Sequence, residues 1–236
     1  MWAYPPRKIL VAVDFGDASA RALRIAGSLA DAHGAAVTVL HAEQLEAPPY
    51  FTRAQVQALE RQRAAARREA ERFLETFAGR NLRAPATYVI VEGSPASGIA
   101  QAARSVDLVV MGTHGRRGPA RWWAGSVAER VVRDAPVPVL VARADGAATP
   151  ATLFRRIAVV APPGSFDGSA RRYARGLAAA FDGEPIKDSE TSLSAGTVEG
   201  ATLVVLAKVA HGPVFTPEAT QFLRTCRRPI LFVPSV

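Results

Sequence analysis

Cysteine is almost missing from this chain. The single residue, Cys226, excludes an internal disulfide framework and a metal site built on cysteine thiolates. The four histidines, His33, His41, His114 and His211, show no ligand spacing, so no metal held by the protein alone is expected. Lysine is scarce too: Lys8, Lys187 and Lys208 are the only three, and arginine supplies nearly all the cation of a chain with 29 Lys+Arg against 21 Asp+Glu. The net charge of +8 fits a polyanion partner in principle. The arginines, however, are spread over most predicted helices, and no basic strand interleaved with aromatics marks an RNA-binding sheet, so nucleic acid is disfavoured. No apolar run approaches the roughly 20 residues needed to span a bilayer, which argues against a membrane partner. The amino terminus, MWAYPPRKILVAVDFG, lacks the long apolar core and cleavage site of a secretory signal, so a cytoplasmic location is expected.

What is present is the composition of a globular protein, 49% apolar and 21% charged over 236 residues. Residues 8–13, KILVAV, form an apolar run ended by Asp14-Phe15-Gly16, as expected of a strand buried on both faces. Asp17 is placed to cap a helix running to His33, with Gly34 as its stop. A second strand is predicted over 36–42, a long helix over 52–77, and a third strand over 87–91. A short helix over 95–104, a fourth strand over 107–111 and a fifth over 138–141 follow. In the long helix Val56, Leu59, Ala66, Ala70, Phe73 and Phe77 form one stripe, and Arg61, Arg67, Arg68 and Arg72 fall mostly off it, as on a solvated face. Strands alternating with helices predict an α/β fold with a doubly wound, parallel, five-stranded sheet. In such sheets ligands lie beyond the carboxyl ends of the strands, where Asp14 and Gly112 both fall.

After Arg143 a small, polar stretch reads as a linker over 145–153, dividing a domain of residues 1–144 from one of 154–236. The second part resembles the first. RRIAVVAPPGSFDGSARRYARG parallels PRKILVAVDFGDASARALRIAG, and ATLVVLAKVAHG with RRPILFVPSV parallels VDLVVMGTHG with APVPVLVARA. The region between about Gly183 and Gly200 is too brief for the second strand, long helix and third strand of the first copy, so a truncated α/β repeat is expected.

The stretch MGTHGRRGPARWWAGS carries the chemistry. Gly112-x2-Gly115-x9-Gly125-Ser126 lies between a strand and a helix, where glycines let backbone N–H groups converge on phosphate oxygens and the helix adds its positive end. Arg116 and Arg117 are candidates to add charge. Each feature also has a bland explanation. The glycines can serve only the turn, and Ser126-Val-Ala-Glu129 has the spacing of a capping box. No carboxylate nearby in sequence orients His114 as a base, and Trp122 with Trp123 reads as a packing or subunit contact. Spacing alone leaves the nucleotide and structural readings both open.

The order KILVAVDFG, VTVLHAE, VEGSPASGIAQAARSVDLVVMGTHGRRG and GSVAERVVRDAPVPVLVAR resembles the universal stress protein family over nearly all of residues 6–143. The Gly-x2-Gly-x9-Gly-Ser loop is similar to the motif that distinguishes its ATP-binding members. The resemblance implies one adenine nucleotide, ATP or else ADP or AMP, with or without Mg²⁺, across the ends of strands one and four. Ala12 and Asp14 would then line the adenosine side, Ala42 the adenine pocket, and Met111 and Gly112 its floor. Gly115, Gly125, Ser126 and Val127 would hold ribose and phosphates. Trp122, Trp123 and Ala124 replace the family's leucine-rich stretch before the last Gly-Ser.

The second copy has Pro162 in place of Asp14, Ala207 and Ala210 in place of Gly112 and Gly115, and no Gly-Ser pair. One site per chain is therefore expected. Since family dimers pair their last strands, the resemblance implies an intramolecular pseudo-dimer in which 230–233 pairs with 138–141, with a homodimer as a further assembly. The leading expectation is a stress-response protein whose nucleotide occupancy alters its surface for an unknown protein partner. The alternatives are a nucleotide-free interaction scaffold and a slow ATPase or phosphotransferase. The last is weakened because the loop has neither a Walker lysine nor an evident carboxylate pair for Mg²⁺.

Overall fold

The computed structural model describes residues 3–43, 53–113, 125–143, 149–160, 168–184, 187–189, 198–208, 215 and 217–235; residues 53–65, 187–189 and 218 are described by backbone alone. The first half runs β1 (Lys8–Val13), α1 (Asp17–His33), β2 (Ala36–Glu43), α2 (Arg53–Asn81) and β3 (Ala86–Glu92). It continues with α3 (Pro95–Ala102), a 3₁₀ turn (Ala103–Ser105), β4 (Leu108–Gly112), α4 (Gly125–Asp134) and β5 (Val139–Ala142). The rest comprises α5 (Pro150–Leu153), β6 (Ile157–Val160), α6 (Ser169–Ala180), β7 (Lys187–Ser189), β8 (Leu203–Ala207), α7 (Pro217–Thr225) and β9 (Ile230–Val233). No described helix is long and apolar enough to cross a membrane.

The strands join one nine-stranded sheet in the order β3-β2-β1-β4-β5-β9-β8-β6-β7, with the expected pairing of 230–233 against 138–141 joining the five-stranded first half to the shortened repeat. Apolar runs buried on both faces make this possible: every residue of β4 except Gly112, and all of β5, β6, β8 and β9, are buried. Pairing is parallel within each half, and only β5 and β9 run antiparallel, with Leu140 opposite Leu231. The two halves are therefore turned end for end about that seam. The carboxyl edge of one half lies beside the amino edge of the other.

Helices cover both faces. One core layer joins Leu23, Ile25 and Leu29 of α1 to Leu74 of α2 and Tyr173 and Leu177 of α6. The opposite layer joins Ile99 of α3, Val131 and Val132 of α4, and Phe222 and Leu223 of α7. Both layers run across the seam, so the halves share one interior.

Three expectations change. Asp17 is the first residue of α1 rather than its cap; Gly16 is the N-cap and makes no side-chain cap bond. The Asp14 side chain takes over, because its Oδ1 accepts the Gly16 N–H at 3.1 Å in an Asx turn ahead of the helix. Within the expected linker, Pro150–Leu153 is helical, closed by a capping box between Thr149 and Thr152, and Leu153 and Phe154 are buried. The short region after Gly183 does keep a second strand: β7 pairs with β6 as β2 pairs with β1. Its residues, Lys-Asp-Ser, carry no apolar pattern and could not be read as a strand.

Candidate functional site at the carboxyl edge of β1 and β4

Strands β1 and β4 are neighbours in parallel register, with Ala12 opposite Met111, so the chain leaves both strands at the same edge. Asp14 follows the end of β1, Gly112 ends β4, and Ala42 lies one strand further along that edge in β2. Gly125 opens α4 against the same edge: a Cβ on it would stand 2.9 Å from the Thr113 carbonyl oxygen. Thr113 is held in turn by its N–H donating to the Ala142 carbonyl at 2.9 Å. Ala12 and Met111 are buried in the layer that holds α4, and Ala42 and Val127 pack against that layer. The structure thus brings Ala12, Asp14, Ala42, Met111, Gly112, Gly125, Ser126 and Val127 to one edge, with Ala12, Ala42, Met111 and Val127 on the α4 layer and Gly112 against α1. Gly115, His114, Arg116, Arg117, Trp122, Trp123 and Ala124 lie outside the described residues.

Asp14 is fixed at one oxygen. Ser19 Oγ donates to Oδ1 at 2.5 Å, the Gly16 N–H shares that oxygen, and the Asp14 N–H donates to Ser19 Oγ at 3.0 Å. Oδ2 has no hydrogen-bond donor among the described residues. Ser19, which sequence reading passed over, is 2% exposed and acts as the positioning group; a hydroxyl five residues after a strand-ending carboxylate was the available signal.

The far side of the β1 exit is aromatic. Phe15 has φ 65°, a left-handed conformation that is costly for an aromatic residue. Its ring is held 4.4 Å from His41, 4.7 Å from Phe73 and 5.4 Å from Phe77. His41 Nδ1 lies 2.8 Å from the Val13 carbonyl, which can only accept, so Nδ1 carries the proton. These contacts hold the turn that presents Asp14 to the opposite face.

Two motif glycines have packing reasons of their own. A Cβ on Gly112 would stand 2.7 Å from Ala18 Cβ and 3.1 Å from the Ser19 nitrogen, so glycine lets the first turn of α1 lie on the end of β4. Gly125 has φ 76° in addition to its contact with Thr113. Ser126, by contrast, does not form the expected capping box. It is the second residue of α4, two positions past the N-cap, and its hydroxyl has no hydrogen-bond partner among the described residues. Burial in the α4 layer pushes the Glu129 carboxyl up, against the opposing pull of Arg133 and Arg224.

The corresponding edge of the second half is built differently. Ala207 ends β8, and Lys208 follows it where Thr113 follows Gly112, its N–H bonded to Val233 as that of Thr113 is to Ala142. The lysine side chain crosses to the first half, and Nζ donates to the carbonyls of Arg133 and Ala135 at 3.3 and 3.1 Å. Burial lowers its pKa to about 8. Pro162 and Ala210 lie outside the described residues.

The chain is 36% identical over 143 residues to a universal stress protein of Thermus aquaticus, a match covering 58% of this chain and 98% of that protein. A universal stress protein of Archaeoglobus fulgidus aligns structurally over 97% of this chain and 96% of its own, with TM-score 0.68 and 19% identity, a likeness of fold that includes the second half. A third, solved in complex with cAMP, is 24% identical and covers 59% of this chain and 98% of its own, with TM-score 0.43. The family model described as the Universal stress protein family matches residues 5–143, the stretch that contains every residue gathered at this edge, and the chain belongs to that family.

Proposed function

We propose that the first half binds one adenine nucleotide, ATP or its di- or monophosphate, across the ends of β1 and β4, and that occupancy regulates a protein partner. The observation that carries this reading is the Asp14 carboxylate, locked at Oδ1 by Ser19 and Gly16 while Oδ2 is left without a described donor. A carboxylate held this way is preorganised to accept hydrogen bonds from ribose hydroxyls or an exocyclic amine. Ala12, Ala42 and Met111 supply small or apolar surface for the adenosine, and the first turn of α4, with Ser126 and Val127, supplies N–H groups to phosphate. Gly115 would join them by its place in the Gly-x2-Gly-x9-Gly-Ser motif. A Mg²⁺ ion would ride on the phosphates, its charge balanced mainly by the nucleotide.

Acid extraction of freshly purified protein, followed by chromatography and by calorimetric titration of ATP, ADP and AMP, tests this. Released nucleotide or micromolar binding is expected. Nucleotide-free protein with flat titrations overturns it, and leaves the interaction scaffold. That second reading has its own support, since packing accounts for Gly112 and Gly125 without any ligand.

A further inference from the structure

Phe15 stands at the centre of the turn that fixes Asp14. The Asx turn closes when the Gly16 N–H reaches Asp14 Oδ1 at 3.1 Å, and Phe15 is the residue it closes over. That place corresponds to the third position of the β-turns that need a positive φ, where glycine or asparagine is usual. Here the glycine comes one residue later: Gly16 has φ −88°, and the φ of 65° falls on Phe15. A bulky side chain in that conformation persists only where its surroundings hold it.

Those surroundings are two phenylalanines of α2 and a histidine of β2. Phe73 meets the Phe15 ring edge-on at 4.7 Å, Phe77 does so at 5.4 Å, and His41 lies tilted against it at 4.4 Å. His41 also holds the residue before Asp14, through Nδ1 and the Val13 carbonyl. The carboxylate is thus bracketed, with the chain held by His41 on one side of it and by the ring cluster on the other. Phe73 is 53% exposed, the one large apolar side chain so exposed among the described residues, whereas its neighbours Leu74 and Ala78 point α2 into the core. The second copy has Pro162-Pro163-Gly164 in place of Asp14-Phe15-Gly16, and proline cannot adopt a positive φ. Its chain between Ser189 and Leu203 is also shorter than the 29 residues of α2. The repeat that lacks the carboxylate therefore lacks the aromatic residue and the helix as well.

We propose that Phe73 is a positioning residue: through the Phe15 ring it holds the turn that fixes Asp14 Oδ1, and so sets how well the carboxylate serves the adenine nucleotide. This rests on the proposed nucleotide site and adds to it a residue that does not touch the ligand, on a helix to which none of the site residues belongs. Without the Phe73 ring the turn has less to hold Phe15 left-handed, the Gly16 N–H leaves Oδ1 more often, and the carboxylate is less preorganised.

The test is calorimetric titration of ATP into wild type, Phe73→Ala, Phe73→Tyr, Phe15→Gly and the double variant Phe15→Gly/Phe73→Ala, with exchange of the Gly16 amide followed by NMR in the ligand-free proteins. Phe73 is half exposed and alanine suits a helix, so the fold should persist. ATP affinity is expected to fall about threefold to tenfold in Phe73→Ala, the scale of one aromatic pair, and to stay within about twofold in Phe73→Tyr, which keeps the ring. On Phe15→Gly, which has no ring to hold, Phe73→Ala should add less than about twofold. The Gly16 amide should exchange faster in Phe73→Ala, with the β5 amides unchanged. A lower Tm with ATP affinity unchanged makes Phe73 merely structural and overturns the proposal, and so does a loss that is the same with and without the Phe15 ring. Neither result removes the nucleotide site. If wild type binds no nucleotide, that reading falls and Gly16 exchange decides the positioning: faster in Phe73→Ala and normal in Phe73→Tyr sustains it, and any other pattern overturns it.

Discussion

Lys208 of the second half closes the carboxyl end of α4 in the first, its Nζ 3.1 Å from the Ala135 carbonyl. The helix is thus held at both ends by different parts of the chain: Gly125 sits against Thr113 at its start, and a buried ammonium neutralises the negative end of its dipole. Burial nevertheless penalises the charge, and lowers the lysine from its ordinary 10.5 to about 8. Below pH 8 both native and unfolded chains carry this proton. Between about pH 8 and 10 the native state has released it while the unfolded state still holds it, so the unfolded state binds more protons and stability rises with pH. Urea denaturation of wild type at intervals from pH 7 to 10 should show a gain on the order of 2 kcal/mol relative to Lys208→Met. Parallel curves for the two proteins would refute the assignment.

Tyr4 staples the opposite face. Its ring packs edge-on against His33 at 5.4 Å and Tyr173 at 4.9 Å, and its hydroxyl lies 3.3 Å from His33 Nε2. A side chain on Gly176 would collide with that ring, so a glycine in α6 makes room for it. Gly176→Val is therefore expected to lower Tm more than Tyr4→Phe, which removes only the hydroxyl contact, worth about 1 kcal/mol. Burial pushes the Tyr4 hydroxyl up to about 12, and the Tyr173 hydroxyl upward as well. The unfolded chain thus ionises first, near pH 10, and the stability these phenols contribute is lost as pH rises beyond it. Thermal melts at pH 9.5 and 11 should show that loss, smaller in Tyr4→Phe.

Gly112 distinguishes packing from ligand binding. If it is glycine because α1 presses on β4, Gly112→Ala should cost about 1–3 kcal/mol in the absence of any nucleotide. Ala18→Gly should recover part of that cost, since it removes the Cβ that would stand 2.7 Å away. A double-mutant cycle on urea midpoints measures the coupling. Additive effects would show that the contact with Ala18 is not what demands glycine there.

The parts of this fold that rest on apolar runs were legible. Residues 8–13 and 230–233 are strands with the expected bounds, because continuous burial on both faces leaves a compositional trace. The gathering of Asp14, Gly112 and Gly125 followed from strand order. What escaped were features set by tertiary geometry. The helix α4 already begins at Gly125, so Ser126 lies inside it and cannot cap it, and nothing in Ser-Val-Ala-Glu reveals this. The lysine that crosses the seam became meaningful only once β5 and β9 were seen to run antiparallel in a fixed register.

Asp14 and Ser19 permit the sharpest test of the site itself. Asp14→Asn keeps an oxygen for the Gly16 N–H and the Ser19 hydroxyl but puts a donor where Oδ2 now stands, so α1 and its turn should survive with little change in Tm. Adenine nucleotide affinity should fall at least tenfold, because two donors would then face each other across the site. Ser19→Ala frees the carboxylate to rotate without removing it, so a smaller loss is expected, of about threefold to tenfold, alongside a destabilisation of about 1 kcal/mol from the buried hydrogen bonds. Calorimetric titration with a melting curve for each variant separates the two. Nucleotide affinity untouched by Asp14→Asn would remove the carboxylate from the site, and would leave its Asx turn ahead of α1 as its whole function.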